Sequence, residues 1–218
     1  MTGESPASTP PATPSPTPGA IPAGSAPIEP GTYRVPESAR SVADFTVTIP
    51  EGWTVQYGHV FAKHQDARDE FGFYAVVIDS IHADACAGGD DLMEVGPGVD
   101  DLAAVLLQQP GPVTSDSVDT TLGGYPAIRI DHTVPEGFDP NACRPKGIGL
   151  QIWYSPRADK YFVLVPEGIA SVYIVDVDGQ RQVFLTQYKS ATSDEDVREL
   201  QSVLDSIHIE TYTAQAAS

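Results

Sequence analysis

The residues best suited to chemistry form a short group of unlike side chains, His82, Asp84 and Cys86, spaced two apart. Together with Cys143, the only other cysteine, they could bind zinc through imidazole, carboxylate and thiolate ligands. The CxxC and HxxxH spacings typical of zinc sites are missing. An even cysteine count in a chain with features of export favours a Cys86–Cys143 disulfide instead, with two free buried thiols as a third possibility.

A second group of candidate ligands is acidic and consists of Asp90, Asp91, Asp100 and Asp101. Carboxylate oxygens suit a hard cation such as calcium, but a solvated loop followed by a charged helix start explains the same residues. The "DVDG" at 176–179 resembles the start of an EF-hand loop but lacks the later ligands. We therefore predict no metal, with the four aspartates as the weaker alternative.

The common signatures of nucleophilic and metal-assisted hydrolysis are missing from the sequence. It contains no G-x-S-x-G and no H-E-x-x-H. Ser115, Asp131 and His132 could form a triad on paper, but neighbouring strand residues point to opposite faces of a sheet. The sequence therefore favours a protein that is not an enzyme, with no catalytic residue and no cofactor.

Aromatic residues offer the strongest hint of a binding site. Trp53, Tyr57, Trp153, Tyr154 and Tyr161 all lie in or beside the ends of predicted strands. Packing in the sheet core is the ordinary explanation for such residues. If Trp53 or Trp153 is exposed in a cleft, a groove for a ligand becomes the natural hypothesis. Trp53, Tyr57, Trp153 and Tyr154 are the candidate ligand-binding residues.

The predicted secondary structure around these residues consists mostly of strands. Apolar alternation or short apolar runs predict strands at 45–50, 72–81, 125–134, 149–154 and 160–165. Asp178-Gly179 predicts a type I′ hairpin in which Val177 pairs with Gln180 and Asp176 with Arg181.

Two helices complete the predicted elements. Residues 99–109 have apolar side chains at helical spacing, acids in the first turn and a stop at Pro110-Gly111. In the second helix, which ends at Ile207, Thr192 and Glu195 have the spacing of a capping box. Strands with two helices out of strict alternation predict an α+β fold, an antiparallel β-sheet with two principal helices packed on it.

Composition divides the 218-residue chain into three parts. Residues 1–30 are rich in Pro, Ser and Thr and predict a disordered tether, 31–210 predict one α+β domain, and 211–218 predict a disordered tail. The first ten residues have neither the basic nor the apolar region of a signal peptide, so we expect any export signal or anchor to lie outside this sequence. The longest apolar runs are strand-sized, so we expect no insertion of this segment into a membrane.

The net charge limits the partners. With 30 acidic against 12 basic residues, the formal charge is -18, which repels nucleic acid and anionic lipid surfaces. A small molecule or an envelope protein is the expected partner, and we expect a monomer.

Six segments together carry a family resemblance: "FTVTIPEGW", "IDSIHADAC", "VGPGVDDLAAVLLQQPG", "LGGYPAIRIDHTVP", "VYIVDVDGQRQVF" and "SDEDVRELQSVLDSIHIE". In order and spacing they resemble a family of uncharacterised exported domains of actinobacteria and related bacteria, found as lipoproteins or behind Pro/Thr-rich stalks. The resemblance implies a PsbP-like fold of the LpqN type, paired cysteines at Cys86 and Cys143, and a mostly non-catalytic domain. The lipid-attachment cysteine of such lipoproteins is not in this sequence.

The expected function is therefore a non-catalytic, extracytoplasmic ligand- or partner-binding domain of the sensor or lipoprotein type, secreted or anchored at the cell surface. One alternative is an extracellular hydrolase with a carboxylate or metal-assisted site near residues 84–101. Another is an envelope adhesion or scaffold module whose acidic face docks a basic partner.

Overall fold

The computed structural model describes residues 17–64, 67, 69–87, 91–144, 146–155 and 160–210. The first sixteen residues of the predicted tether and the predicted tail at 211–218 lie outside these ranges.

The first nine strands precede the first helix: β1 (Gly19–Ala20), β2 (Ala26–Pro27), β3 (Gly31–Val35), β4 (Phe45–Ile49), β5 (Thr54–Gln56), β6 (Val60–Lys63), β7 (Phe71–Val76), β8 (Ser80–His82) and β9 (Leu92–Glu94). The remaining elements are α1 (Val99–Gln108), β10 (Val113–Thr114), β11 (Val118–Leu122), β12 (Tyr125–Thr133), a 3₁₀ turn (Pro140–Ala142), β13 (Leu150–Ser155), β14 (Lys160–Leu164), β15 (Gly168–Val177), β16 (Gln180–Lys189), α2 (Asp194–Asp205) and β17 (His208–Ile209).

The centre of the fold is a nine-stranded antiparallel sheet with the order β10-β12-β15-β16-β7-β6-β5-β2, in which β11 also pairs with β12. Two four-stranded sheets accompany it, ordered β1-β3-β4-β17 and β14-β13-β8-β9. The short β1 runs parallel to β3. The predicted α+β class, with mainly antiparallel strands and two helices, is confirmed.

The predicted hairpin at Asp178-Gly179 is also confirmed. Val177 pairs with Gln180, and Asp176 pairs with Arg181, in the register between β15 and β16. Asp178 and Gly179 both have positive φ, as a type I′ turn requires. The side chains of the acid–base pair turn elsewhere: Asp176 accepts a hydrogen bond from the Gly179 amide, and Arg181 donates to backbone carbonyls of Ile78, Gly96 and Gly98.

Two hydrophobic cores lie on opposite sides of the central sheet because successive strand residues point to opposite faces. On β15, Tyr173 and Val175 belong to one core, whereas Val172 and Ile174 belong to the other. The first core also contains buried residues of β3, β4 and α2, and the second contains those of α1, β8, β13 and β14.

The helices begin and end within two residues of the predicted positions, and α2 ends at Asp205 instead of the predicted Ile207. Helix α1 ends before Gln109, next to the predicted Pro110-Gly111 stop. The N-cap of α2 is Ser193, whose Oγ accepts a hydrogen bond from the Asp196 amide at 3.1 Å, so the predicted Thr192 cap is wrong by one residue. Thr192 Oγ1 instead accepts from the Lys189 amide and closes the preceding turn.

The domain starts earlier than Gly31, the start predicted from composition. Strand β1 pairs with β3, β2 pairs with β5, and the Ile28 side chain is only 5% exposed within the first core. Backbone pairing and one buried isoleucine attach this Pro-rich stretch to the sheet, which a compositional argument cannot detect. Among the described residues, no helix is long and apolar enough to cross a membrane.

Candidate functional site

The two cysteines form a disulfide. Cys86 and Cys143 are bonded with Cα atoms 4.5 Å apart, which confirms the predicted pairing and makes zinc ligation by these thiols wrong. Asp84 shapes the loop: its Oδ1 accepts hydrogen bonds from the amides of Cys86, at 2.8 Å, and Ala87, at 3.2 Å. This arrangement is an Asx turn, which gives Asp84 a local structural role.

His82, the third member of that group, is a buried core residue. Its two ring nitrogens have no hydrogen-bond partner among the described residues, and its ring stacks on Tyr161 at 5.8 Å between centroids. Burial lowers the pKa of His82, against the opposing effect of the Asp91 charge. We conclude that the imidazole is neutral at pH 7.

The acids of the weaker metal alternative do not converge on a common point within the described ranges. Asp90 lies outside these ranges, and the exposed Asp91 and Asp100 belong to no cluster of three metal-ligating side chains found among the described residues. Asp101 Oδ2 accepts a hydrogen bond from the Gly98 amide at 2.9 Å and caps α1. The weaker alternative of a cation site therefore has no support from the described aspartates, and helix capping accounts for Asp101.

His64, Asp69 and Asp196 do bring three potential ligand atoms within 4.8 Å of one another. The His64 Nδ1 lies 2.7 Å from Asp69 Oδ2, and the His64 ring contacts Phe71 edge-on. The contact between His64 and Asp69, and a hydrogen bond from Ser193 Oγ to Asp196 Oδ2 at 2.7 Å, account for these three side chains.

The residues of the hypothetical triad are separated, as the strand geometry predicts. Ser115 Oγ accepts from the Asp131 amide, while the Asp131 carboxylate pairs with Arg129 at 2.8 Å. His132 points into the core, where Nδ1 lies 3.0 Å from Thr114 Oγ1 and Nε2 has no partner among the described residues. Burial lowers the pKa of His132 to about 4, opposed by the Asp131 charge.

Of the four aromatic candidates, the two tryptophans belong to the cores. Trp53 and Trp153 are each 1% exposed, so the prediction that they bind ligand is wrong. Trp53 lies between Phe71 and Phe73, and Trp153 stacks on Phe162 with ring centroids 4.4 Å apart. Their large apolar surfaces stabilise the two sides of the sheet.

The tyrosines behave differently. Tyr57 is 70% exposed and Tyr161 is 51% exposed, and both line one open groove. Tyr154 is half-buried, and its ring lies 4.6 Å from that of Tyr161. We call this the tyrosine groove, defined by Arg40, Tyr57, His59, Val60, Tyr74, Ala75, Val76 and Tyr161, with a volume of about 210 Å³.

The groove lies over the neighbouring antiparallel strands β6 and β7. Val60 pairs with Tyr74, and Tyr74 and Val76 point to the same face as the second core. Tyr161 comes from β14, the edge strand of the small sheet on that side. A second cavity of about 90 Å³ shares Val60 and Tyr74, so apolar surface continues along these two strands.

The wall at Tyr57 is a tight turn between β5 and β6. Tyr57 and Gly58 both have positive φ, and the His59 amide donates to the Gln56 carbonyl. The N-terminal segment holds this turn, because the Gly58 amide donates to the Gly24 carbonyl at 3.1 Å. A bulky residue in left-handed backbone conformation is unusual, and here it projects an aromatic ring into solvent.

Arg40, in the loop between β3 and β4, adds a positively charged side chain to the otherwise mainly apolar and aromatic groove. The buried Gln182 of β16 holds this loop: its Oε1 accepts from the Val42 amide at 2.7 Å. The Ser38 and Ser41 backbones pair with each other across the loop.

Burial raises the pKa of Tyr74 well above its usual range, so that ring is a neutral part of the groove.

Of the eight groove residues, only Tyr57 is among the four predicted ligand-binding residues, so Arg40, His59, Tyr74 and Tyr161 were missed. Tyr74 has a recognisable signal, because it lies on the strand face opposite Phe71 and Phe73. Arg40 and His59 lie in turns, where periodicity gives no information about direction.

Comparison with known proteins identified no family. No protein-family model and no curated protein matches the chain. Among solved structures, the solution structure of cyanobacterial PsbP (CyanoP) from Synechocystis sp. PCC 6803 is similar, at 10% sequence identity and a TM-score of 0.37. The similarity covers 84% of this chain and 94% of that one, and a TM-score this low does not establish a shared fold.

Proposed function

We propose that this chain is a non-catalytic ligand-binding domain and that the tyrosine groove is its binding site. The observation that carries the proposal is the convergence of Tyr57, Tyr74 and Tyr161 around one open, largely apolar concavity. Ligand sites are typically concave and apolar, with a few polar groups that fix orientation.

Size and ring geometry support a small aromatic or amphiphilic ligand. An apolar cavity of roughly 150 Å³ is enough to bind benzene, so a groove of about 210 Å³ accommodates a fused ring pair or a short alkyl chain. Exposed tyrosine rings add stacking contacts, each worth about 0.5–1.5 kcal/mol beyond the burial of apolar area.

We further propose that the domain works outside the cytoplasm, as a secreted or surface-anchored protein with a PsbP-like fold of the LpqN type. The disulfide supports an oxidising compartment, because cytosolic thiols are kept reduced. The Pro-rich sequence before residue 17 and the strongly acidic composition agree with a domain held away from a surface. The six-segment resemblance supports the fold assignment.

A neutral aromatic probe, 2-naphthamide, tests the groove. We expect it to bind the full chain, and we expect Tyr57→Ala and Tyr161→Ala each to weaken binding about tenfold through the loss of one stacking surface. Val118→Ala is the matched control, since Val118 is also an exposed residue (58%) but lies on β11, far along the central sheet. Fluorescence titration measures the affinities. Absence of binding, or equal affinity in all variants, would overturn the proposal.

The hydrolase and the adhesion or scaffold module remain predictions. Turnover of ester, glycoside or phosphate substrates, abolished by one substitution among residues 84–101, would establish the hydrolase in place of our proposal. Steep loss of protein capture with rising salt would indicate an acidic docking face instead.

A further inference from the structure

On the basis of the proposed function of the tyrosine groove, we propose that its ligand carries one carboxylate, which pairs with Arg40. The ligand class is therefore an anionic aromatic or alkyl amphiphile, with its apolar body on the tyrosines and its charged end at the guanidinium.

The first observation is that Arg40 has no acidic partner among the described residues. The chain has 30 acids and only 12 bases, and several of the described cations form ion pairs with acids. Arg34 pairs with Asp44, Lys63 with Glu199, and Arg129 with Asp131. Among the described residues, the half-buried Arg40 side chain therefore has no acidic partner and can receive an anion from outside.

The second observation is a contrast between cavities. Among its described lining residues, the tyrosine groove contains Arg40 and no Asp or Glu. Three other cavities each combine their cation with acid: Arg34 with Asp44, Lys189 with Glu70, and Arg181 with Asp100, Asp101 and Asp176. A ligand anion in any of those would face a carboxylate, whereas the described lining of the tyrosine groove presents none.

The third observation is that the protein holds the Arg40 backbone in place before any ligand arrives. Gln182, itself buried, accepts from the Val42 amide and donates to the Arg40 carbonyl at 3.4 Å. The Ser38–Ser41 bridge closes the same loop, and Ser38 Oγ accepts from the Arg40 amide. Preorganisation of this kind reduces the entropy lost when a ligand binds.

A carboxylate suits these facts better than a phosphate. One guanidinium balances one negative charge and matches the planar fork of a carboxylate. A phosphate monoester carries about −1.5 to −2 charges and would keep an excess negative charge beside three tyrosine rings. The net charge of -18 opposes anions at long range, so binding must come from direct contact with Arg40.

An isosteric pair of probes tests this inference separately from the groove itself. The probes are 2-naphthoate and 2-naphthamide, which differ in charge but hardly in shape. In the wild-type chain we expect the carboxylate to bind about tenfold more tightly than the amide, in keeping with a charge-assisted hydrogen bond. In Arg40→Gln we expect the ratio of the two affinities to fall to about one, chiefly through weaker binding of 2-naphthoate.

Two further variants complete the design. Arg198→Gln is the matched control, because Arg198 is an exposed arginine on α2, which packs in the first core and not on the side of the groove. This variant should keep the wild-type preference for 2-naphthoate over 2-naphthamide. Arg40→Lys keeps the charge without the planar fork and should retain part of the ratio. Circular dichroism confirms that each variant is folded.

The outcomes are distinct. One outcome is that 2-naphthamide binds, and binds more weakly to Tyr57→Ala, while the ratio of the affinities for 2-naphthoate and 2-naphthamide is the same in wild type and Arg40→Gln. The groove is then the binding site, and the carboxylate inference is wrong. If neither probe binds the wild-type chain, both proposals are wrong. A 2-naphthyl phosphate probe that binds more tightly than 2-naphthoate would replace the carboxylate with a phosphate and overturn the inference as stated.

Discussion

The indole Nε1 of Trp53 donates a hydrogen bond to Glu199 Oε1 at 2.8 Å, which joins the start of β5 to helix α2. The same carboxylate accepts from Lys63 Nζ at 2.9 Å. A tryptophan that the sequence offered as a ligand-binding residue is thus part of the joint between sheet and helix.

Replacing Trp53 should therefore destabilise the domain without altering the groove. We expect Trp53→Ala to lower the free energy of unfolding by about 3–5 kcal/mol, since it removes a fully buried aromatic side chain. Trp53→Phe keeps most of the packing and should cost less. Urea unfolding measures both. A Trp53→Phe variant of wild-type stability that no longer binds 2-naphthamide would show that Trp53 does contact ligand.

The disulfide should contribute strongly to stability. Cys86 and Cys143 are 57 residues apart, and closing a loop of that size stabilises the folded state by about 4 kcal/mol in the chain-entropy model. The double variant Cys86→Ser/Cys143→Ser should lose about that amount in urea unfolding. Dithiothreitol should destabilise wild type and leave the double variant unchanged. Equal stability of the two proteins would contradict this prediction.

His132 should make the protein sensitive to acid. Its pKa falls from the usual 6.5 to about 4 in the folded state, because burial disfavours the charged ring. Protonation therefore favours the unfolded chain, and the stability present above pH 6.5 is lost as the pH falls towards 4, by about 3 kcal/mol in all.

His132→Asn separates this contribution from that of the many carboxylates. The amide can occupy the Nδ1 position beside Thr114 Oγ1 but does not titrate. We expect the stability difference between wild type and this variant to shrink as pH falls from 6.5 to 4. A difference independent of pH would refute the assignment.

Gln182 should control the order of the Arg40 loop. Gln182→Leu removes the acceptor for the Val42 amide, a group that is then left without its partner at a cost of about 1–3 kcal/mol. Hydrogen exchange at the Val42 amide should accelerate markedly, whereas exchange at the Thr48 amide, which donates to Ser206 Oγ, should stay as in wild type. Unchanged exchange at Val42 would mean that the loop is held by other contacts.

Much of the fold follows from short-range rules in the sequence. The β15–β16 register is set by Asp178-Gly179, because few other residue pairs adopt left-handed backbone at both turn positions. The ends of α1 and α2 follow from nearby acids, serine and proline, and these signals act within one helical turn. The cysteine pairing needed only the count of cysteines and the features of an exported chain.

Which aromatic residues are buried and which face solvent depends on the tertiary structure and not on the local sequence. Trp53 and Tyr57 are four residues apart, yet one lies in the core and the other is 70% exposed, because Tyr57 itself adopts positive φ in the turn that follows β5. Arg40 and Tyr161, far apart in sequence, line one groove because separate strands and loops bring them together. The inclusion of residues 19–28 in the domain likewise depends on strand partners distant in the chain. Local propensity determines which elements form, whereas the direction in which a loop side chain points depends on long-range contacts that no short stretch of sequence encodes.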